Sequence, residues 1–133
     1  MEKNTVTATA TSGEVHYRTL MQARTHLLYT DEPEEDGGKD SAPKPGELLC
    51  MSLASCTAIT LQMYAGRKQW ETGTITVKVT RIMEEKLTRF ETDISFGKEL
   101  PAEMKERLYI IAKKCPVHKI LSNPITIETK IAG

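Results

Sequence analysis

A run of nineteen residues without a charged side chain, Leu48 to Gly66, constrains the fold of this chain more than any other feature. Its length alone would allow a membrane span. Polar side chains interrupt it, however, and its mean hydropathy lies far below that of a dedicated transmembrane helix. The interrupting residues are Ser52, Ser55, Thr57, Thr60 and Gln62. We therefore interpret the run as a helix buried within a soluble protein, and we expect no membrane partner.

The residues around this run predict where the helix begins and ends. Pro45 fits the first helical position, where a missing N–H costs nothing, and Glu47 suits the positive end of the helix dipole. The helix is then expected to continue to about Arg67. Its predicted buried stripe consists of Leu49, Leu53, Cys56, Thr60 and Met63. Because no face is charged, the helix must be covered on nearly all sides, which one small sheet can hardly do and which favours a second subunit.

The overall composition is that of an ordinary single-domain protein without a preference for polyanions. The chain has 133 residues, in which 18 Lys and Arg balance 18 Asp and Glu. Without a net positive field, neither nucleic acid nor an anionic membrane is an expected partner. The three cysteines are an odd number, and the N-terminus shows no basic and then apolar signal segment. These features favour a reducing cytoplasm with free or transiently bonded thiols.

Alternation of apolar and polar residues predicts strands on both sides of the central helix. An acidic, proline-rich segment at 31–45 predicts a loop before that helix. The predicted elements in chain order are strands at 5–10, 15–19 and 26–30, the central helix, strands at 75–80 and 90–96, helices opened by Pro101 and Pro116, and a last strand containing Ile125, Ile127 and Ile131. This order, βββαββααβ, predicts an α+β fold in a single domain over residues 1–133.

The cysteines are the residues best suited to chemistry, although a cysteine on an apolar helix stripe is by default a small core residue. Cys50 and Cys56 lie about 9 Å apart along the helix axis, beyond the reach of a disulfide. Cys115 directly precedes Pro116, so its sulfur is expected near a helix N-terminus, which favours a thiolate. A zinc site made from the three cysteines and His118 would need short ligand loops that this spacing lacks. We expect neither a metal nor an organic cofactor.

Two cysteine motifs carry a family resemblance that covers essentially the whole chain. Residues 45–61, PGELLCMSLASCTAITL, are followed about sixty residues later by residues 111–119, IAKKCPVHK. Together they resemble the family of osmotically inducible protein C and the organic hydroperoxide resistance proteins (OsmC/Ohr). Residues 26–38, with His26, Asp31-Glu32-Pro33 and Gly37-Gly38, resemble the OsmC-like branch of that family. The resemblance implies an OsmC-like fold in an intertwined homodimer, with the sites at the subunit interface.

The resemblance further implies a thiol-dependent peroxidase that reduces organic hydroperoxides. In the family's terms, Cys56 is the peroxidatic thiolate and Cys115 the resolving thiol that forms a disulfide with it. A dithiol reductant, a lipoylated protein in some family members, recycles the pair without a metal or organic cofactor. The apolar stripe around Cys56 suits an apolar hydroperoxide, so we expect the substrate pocket to include Leu49, Leu53, Thr60 and Met63.

Activation of the peroxidatic thiol is expected to come from a cation, as it does in the Ohr branch. Arg18 is the first candidate and Arg24 the second. The Ohr carboxylate that orients this Arg stands ten residues before the cysteine, where this chain has Gly46. Glu47 stands nine before, about 180° away from Cys56 around a regular helix, so its two interpretations are an Arg-orienting group and a plain first-turn acid.

Two further alternatives stay open at this point. His118 follows Cys115 by three residues, so it either hydrogen-bonds that cysteine or the substrate, or is a surface histidine. The missing Ohr carboxylate at Gly46 leaves a second function open. In that alternative the chain keeps the fold and the thiols, has weak or no peroxidase activity, and acts as an apolar-ligand binding or redox-response protein.

Overall fold

The computed structural model describes residues 5–133. The chain forms two compact units, Met1–Leu49 and Cys50–Gly133. The first unit contains a three-stranded antiparallel sheet, made of β1 (Thr9–Ser12), β2 (Thr19–Ala23) and β3 (His26–Thr30), in the spatial order β1-β2-β3. The prediction of a single domain over residues 1–133 stays a prediction.

The second strand, β2, lies four residues further along the chain than the predicted strand at 15–19. Residues 15–19 were expected to be extended, but the backbone of Tyr17 is left-handed, with a φ of 67°. A bulky residue in that conformation ends an extended segment, so the chain turns here and β2 begins only at Thr19. The third strand, His26–Thr30, is confirmed at both ends.

A buried carboxylate organises the acidic loop that follows β3. Asp31 accepts hydrogen bonds from the backbone N–H of Glu32 (2.8 Å), the backbone N–H of Ser41 (3.0 Å) and the Ser41 hydroxyl (2.7 Å). The Thr30 hydroxyl donates to the carbonyl of Pro43 (2.7 Å), which ties the two ends of the loop together. The bonds from Ser41, above all, lower the pKa of Asp31 from 3.8 to about 2. The predicted loop is therefore confirmed, and it is folded around Asp31 with a 3-10 helix at Glu34–Asp36.

The central helix α1 spans Pro45–Lys68, close to the predicted 45–67. The rest of the second unit consists of an antiparallel hairpin, β4 (Ile75–Glu84) and β5 (Leu87–Phe96), and two helices, α2 (Ala102–Ala112) and α3 (Pro116–Ser122). Both helices begin immediately at or after a proline, as predicted, because proline at the first turn sacrifices no hydrogen bond. The α+β fold class is confirmed.

The core of the second unit joins α1 to α2. Its buried residues are Leu61, Leu108, Ile111 and Ala112. Half-buried apolar side chains from the hairpin, the loops and both helices pack around them: Tyr64, Trp70, Ile75, Ile94, Phe96, Leu100 and Met104. Because α2 is anchored to α1 in this way, the residues that follow α2 are held beside the same helix.

The prediction of a last strand is wrong. Residues 124–133 form neither strand nor helix, and Ile125, Ile127 and Ile131 are all exposed. Alternating isoleucines favour a strand only where a neighbouring strand supplies hydrogen bonds and an apolar layer covers one face. Within residues 5–133 no strand pairs with this segment, so the order is βββαββαα.

The predicted buried stripe of α1 is also wrong, by about one position. The residues of α1 that are buried are Leu53, Thr57, Leu61 and Ala65. Of the predicted stripe only Leu53 is among them, whereas Leu49 is 41% exposed and Met63 60% exposed. Polar residues are spread around this helix and its central run has no charged face, so periodicity could not select the buried face, and the contact with α2 selected it instead. Residues 5–133 therefore leave part of α1 exposed.

Candidate active site

Cys56 and Cys115 lie together at the N-terminal end of α3. The backbone N–H of Val117 donates to the Cys56 sulfur at 3.5 Å. The backbone N–H of His118 donates to the Cys115 sulfur at 3.2 Å. The two sulfurs, 59 positions apart in sequence, thus share the first turn of one short helix, and all three cysteines of the chain are free thiols.

The Cys-Pro sequence explains this arrangement locally. Cys115 is the N-cap residue of α3, with extended backbone angles (φ −65°, ψ 142°), and its side chain takes the place of the usual capping oxygen. Pro116 has no N–H, so the first two donors of the helix are those of Val117 and His118. Each donor points at a different cysteine sulfur, and both favour negative charge there.

A third donor reaches the site from α1. The Thr57 hydroxyl donates to the Cys115 sulfur at 3.6 Å, and both residues are buried. From the sequence, Thr57 is a polar interruption of the apolar run without a predicted role in the site. The signal that could have drawn attention to it is a hydroxyl directly after a candidate nucleophile, in the middle of an apolar helix.

The two thiols differ in accessibility. Cys115 is 0% exposed, whereas Cys56 is half-buried. A reagent that approaches from solvent therefore reaches Cys56 first. This asymmetry suits a pair in which Cys56 reacts with an external molecule and Cys115 reacts only with Cys56.

The surroundings of Cys56 disfavour its thiolate. Burial raises the pKa of the Cys56 thiol, and hydrogen bonding and charge from the Cys115 side chain raise it further. The N–H of Val117 and the hydroxyl of Thr60 act in the opposite direction. None of these influences comes from a cation.

The two candidate activating arginines both lie in the first unit. The Arg18 guanidinium stacks over the Tyr29 ring, 4.0 Å from the ring centroid, and its Nε is buried without a hydrogen-bond partner among residues 5–133. Arg24 occupies the turn between β2 and β3 with a φ of 56°, and its side chain is exposed. Arg18 is thus the better preorganised of the two, with a donor still available.

The carboxylate of Glu47 caps the start of α1. It accepts a hydrogen bond from the backbone N–H of Lys44 at 3.0 Å, as an acid at the third helical position does in a capping box. Of the two predicted roles of Glu47, this contact corresponds to that of an acid in the first helical turn. His118 contributes its backbone N–H to Cys115, and its side chain is half-buried. His26 is exposed at the start of β3, opposite Ala23.

The four residues of the expected substrate pocket lie in different environments. The hydroxyl of Thr60 lies beside the Cys56 sulfur. Leu53 is buried in α1, whereas Leu49 and Met63 are exposed. Cys50 is half-buried. Across residues 5–133 no group of three or more His, Cys, Asp or Glu side chains is arranged to hold a metal ion.

The chain belongs to the family of OsmC-like proteins, since that family's model matches residues 38–130, more than half of the chain. The matched region contains α1, α3 and both cysteines of the pair. No curated protein matches the chain. Family membership supports a redox or stress-response role.

Several solved structures share the fold. One is a protein from Psychrobacter arcticus 273-4 named for osmotic stress induction and detoxification response, with 27% identity, 90% of each chain covered and a TM-score of 0.74. Another is an organic hydroperoxide resistance protein OsmC from Legionella pneumophila, with 20% identity, 91% of each chain covered and a TM-score of 0.63. A third is an organic hydroperoxide resistance protein from Elizabethkingia anophelis, with 20% identity, 90% of this chain and 89% of that chain covered, and a TM-score of 0.66.

Proposed function

We propose that this protein is a cysteine-based, thiol-dependent peroxidase that reduces organic hydroperoxides. Cys56 is the peroxidatic residue and Cys115 the resolving one. The observation that carries the proposal is the pair of free thiols at one helix N-terminus, with Cys56 half-buried and Cys115 fully buried. The family membership supports the same assignment.

The proposed reaction has two chemical steps and a recycling step. The Cys56 thiolate attacks the terminal oxygen of the hydroperoxide, the O–O bond breaks, and the alkoxide leaves as an alcohol after taking a proton. Cys56 is now a sulfenic acid. Cys115 attacks its sulfur, the S–O bond breaks, and water leaves as the disulfide forms. A dithiol then reduces the disulfide by exchange and is itself oxidised; a lipoylated protein is the proposed source of that dithiol.

A homodimer is part of the proposal. Exposed apolar side chains lie on β3, at Leu27 and Leu28, and on α1, at Ile59 and Met63. Large exposed apolar groups of this kind are typical of surfaces that a partner covers. We assign activation of Cys56 in the dimer to Arg18, whose buried Nε has no hydrogen-bond partner among residues 5–133, with Arg24 as the second candidate. The apolar residues that surround Cys56 in the sequence of α1 favour an apolar hydroperoxide as the substrate, and we place the protein in the cytoplasm.

The test is the rate at which the purified protein consumes cumene hydroperoxide in stopped flow, with a dithiol as reductant. Cys56→Ser is expected to lose turnover, whereas Cys115→Ser is expected to consume about one equivalent and then stop. Cys50→Ser is the matched control, because Cys50 lies on the same helix outside the pair. Wild-type turnover no faster than that of Cys56→Ser contradicts the proposal.

A second candidate function rests on the chemistry around Cys56. Its pKa is raised, and Gly46 stands where the Ohr pattern has a carboxylate. Both features favour a family member with weak or no peroxidase activity that binds an apolar ligand or responds to redox conditions. Native mass spectrometry of the purified protein distinguishes the two functions. A copurified apolar ligand together with hydroperoxide turnover at the level of Cys56→Ser supports this second function.

A further inference from the structure

The buried hydroxyl of Thr57 has no place in the two-thiol chemistry described so far. We propose that Thr57 is a positioning residue for the resolving step, in which its hydroxyl holds the Cys115 sulfur as the acceptor of a hydrogen bond while that sulfur attacks oxidised Cys56. This inference rests on the proposed function and deepens it, because it names the group that prepares the second thiol.

Two donors from different helices converge on the Cys115 sulfur. The backbone N–H of His118 approaches from α3 at 3.2 Å, and the hydroxyl of Thr57 approaches from α1 at 3.6 Å. Thr57 is only 2% exposed, so its hydroxyl depends on a partner inside the protein. A neutral thiol is a weak acceptor, whereas a charged sulfur is a strong one. Two donors on one buried sulfur therefore suit a sulfur that carries negative charge.

The charged groups around Cys115 do not replace these donors. From α1 the titratable group that faces it is the Cys56 thiol. From α3 His118 contributes its backbone N–H. Lys113 and Lys114, which directly precede Cys115, are exposed, and Lys113 Nζ lies over the Tyr109 ring. Within residues 5–133 the hydrogen bonds to this sulfur come from the Thr57 hydroxyl and the His118 N–H, and none comes from a Lys or Arg side chain. These two donors therefore stabilise a charge on the sulfur that solvent does not reach.

The resolving step shows where the hydroxyl acts. The Cys115 thiolate attacks the sulfur of the Cys56 sulfenic acid, the S–S bond forms, the S–O bond breaks, and hydroxide leaves as water after taking a proton. Cys115 is buried, so solvent does not stabilise the negative charge on its sulfur during this attack. The Thr57 hydroxyl donates a hydrogen bond to that sulfur and holds it on the side of Cys56.

Thr57→Val tests this role because it removes the hydroxyl and keeps the shape of the side chain. A hydrogen bond to a charged sulfur changes the amount of thiolate about tenfold or more. A less stabilised thiolate is also a better nucleophile, with a Brønsted coefficient of about 0.4–0.5, which offsets part of the loss of thiolate. On a logarithmic scale, about half of the change in thiolate therefore appears in the rate of disulfide formation. We expect disulfide formation about three- to tenfold slower at pH 7. Thr57→Ser keeps the hydroxyl and is expected to stay close to wild type.

The first measurement separates the two steps in a single turnover. The protein is mixed with one equivalent of cumene hydroperoxide, quenched, and weighed by intact-mass spectrometry to follow sulfenic acid and disulfide. In Thr57→Val we expect unchanged formation of sulfenic acid and slow disulfide formation, with a deficit that narrows as the pH rises. Wild-type disulfide formation in Thr57→Val, or equal slowing of both steps at every pH, overturns the proposal.

The second measurement does not depend on peroxidase activity. In the Cys50→Ser background, a chromogenic aromatic disulfide first forms a mixed disulfide with the accessible Cys56 and releases one aromatic thiol. Cys115 then displaces the second aromatic thiol, and the rate of that second release reports the attack directly. We expect it to be about three- to tenfold slower in Thr57→Val at pH 7. If the wild type does not consume hydroperoxide but the second release is slower in Thr57→Val, only the proposed peroxidase function is wrong. If the second release in Thr57→Val is as fast as in Thr57→Ser, the proposed role of Thr57 is wrong.

Discussion

Replacing Leu108 by alanine tests how much the contact between α1 and α2, which keeps Cys115 beside α1, contributes to the stability of the protein. Leu108 is 1% exposed and belongs to the buried cluster with Leu61. It lies on α2, the helix whose end leads directly into Cys115. A cavity at Leu108 therefore weakens the packing that keeps Cys115 beside α1, without changing either cysteine.

The size of the effect follows from the burial. The substitution removes three carbon atoms, worth about 2.4 kcal/mol at about 0.8 kcal/mol for each buried methylene. A residual cavity adds to this, so about 3 kcal/mol is a moderate expectation within the usual range of about 2–5. At an unfolding entropy of about 2.1 cal/mol/K for each of 133 residues, this lowers Tm by about 11 °C.

The assay is thermal unfolding followed by circular dichroism under reducing conditions, with a denaturant titration to obtain the free energy of unfolding. Protein concentration is held constant because a dimer would make Tm depend on it. Leu87→Ala is the matched control, since Leu87 is 58% exposed in β5 and its truncation should cost less than about 0.5 kcal/mol. A loss below about 1 kcal/mol for Leu108→Ala, or an equal loss in both variants, refutes the reasoning.

Three further predictions concern the site and the acidic loop. Cys115→Ser removes the hydrogen bond and the charge of the Cys115 thiol, both of which raise the pKa of Cys56. Alkylation of Cys56 by iodoacetamide at pH 7, measured by mass spectrometry, should therefore become faster. Unchanged or slower alkylation contradicts this prediction. The pKa of Asp31 is lowered to about 2, so the stabilisation of the fold by the Asp31 carboxylate is complete above about pH 4 and is lost as the pH falls through 2. The difference in urea midpoint between wild type and Asp31→Asn should therefore shrink between about pH 4 and pH 2. A difference that stays constant over this range contradicts the prediction. Gly38→Ala should unfold at a lower temperature than Gly13→Ala, because a Cβ at Gly38 would overlap a backbone carbonyl of the same loop, whereas a Cβ at Gly13 would meet no other atom within 4 Å. Equal melting temperatures of the two variants would exclude that clash.

Local sequence patterns predicted most of the helices and strands, because the interactions behind these patterns are between residues a few positions apart in the chain. Pro45, Pro101 and Pro116 marked helix starts through their missing N–H groups, and those starts are observed. The prediction of the last strand was wrong because a strand needs a neighbouring strand to pair with, and the sequence of residues 124–133 does not reveal whether one is present. The prediction of the buried face of α1 was wrong because no charged face marks the solvent side over residues 48–66, so the sequence pattern could not distinguish one face from another.

The sequence by itself determined the α+β class, the central helix and the two cysteine motifs, since each depends on residues a few positions apart. Only the tertiary structure decided that Cys56 and Cys115 share the first turn of α3, and that Thr57 donates to Cys115. It also decided that the pKa of Cys56 is raised rather than lowered. The physical reason is that desolvation and hydrogen bonding depend on which atoms pack together, and residues far apart in the chain supply those atoms.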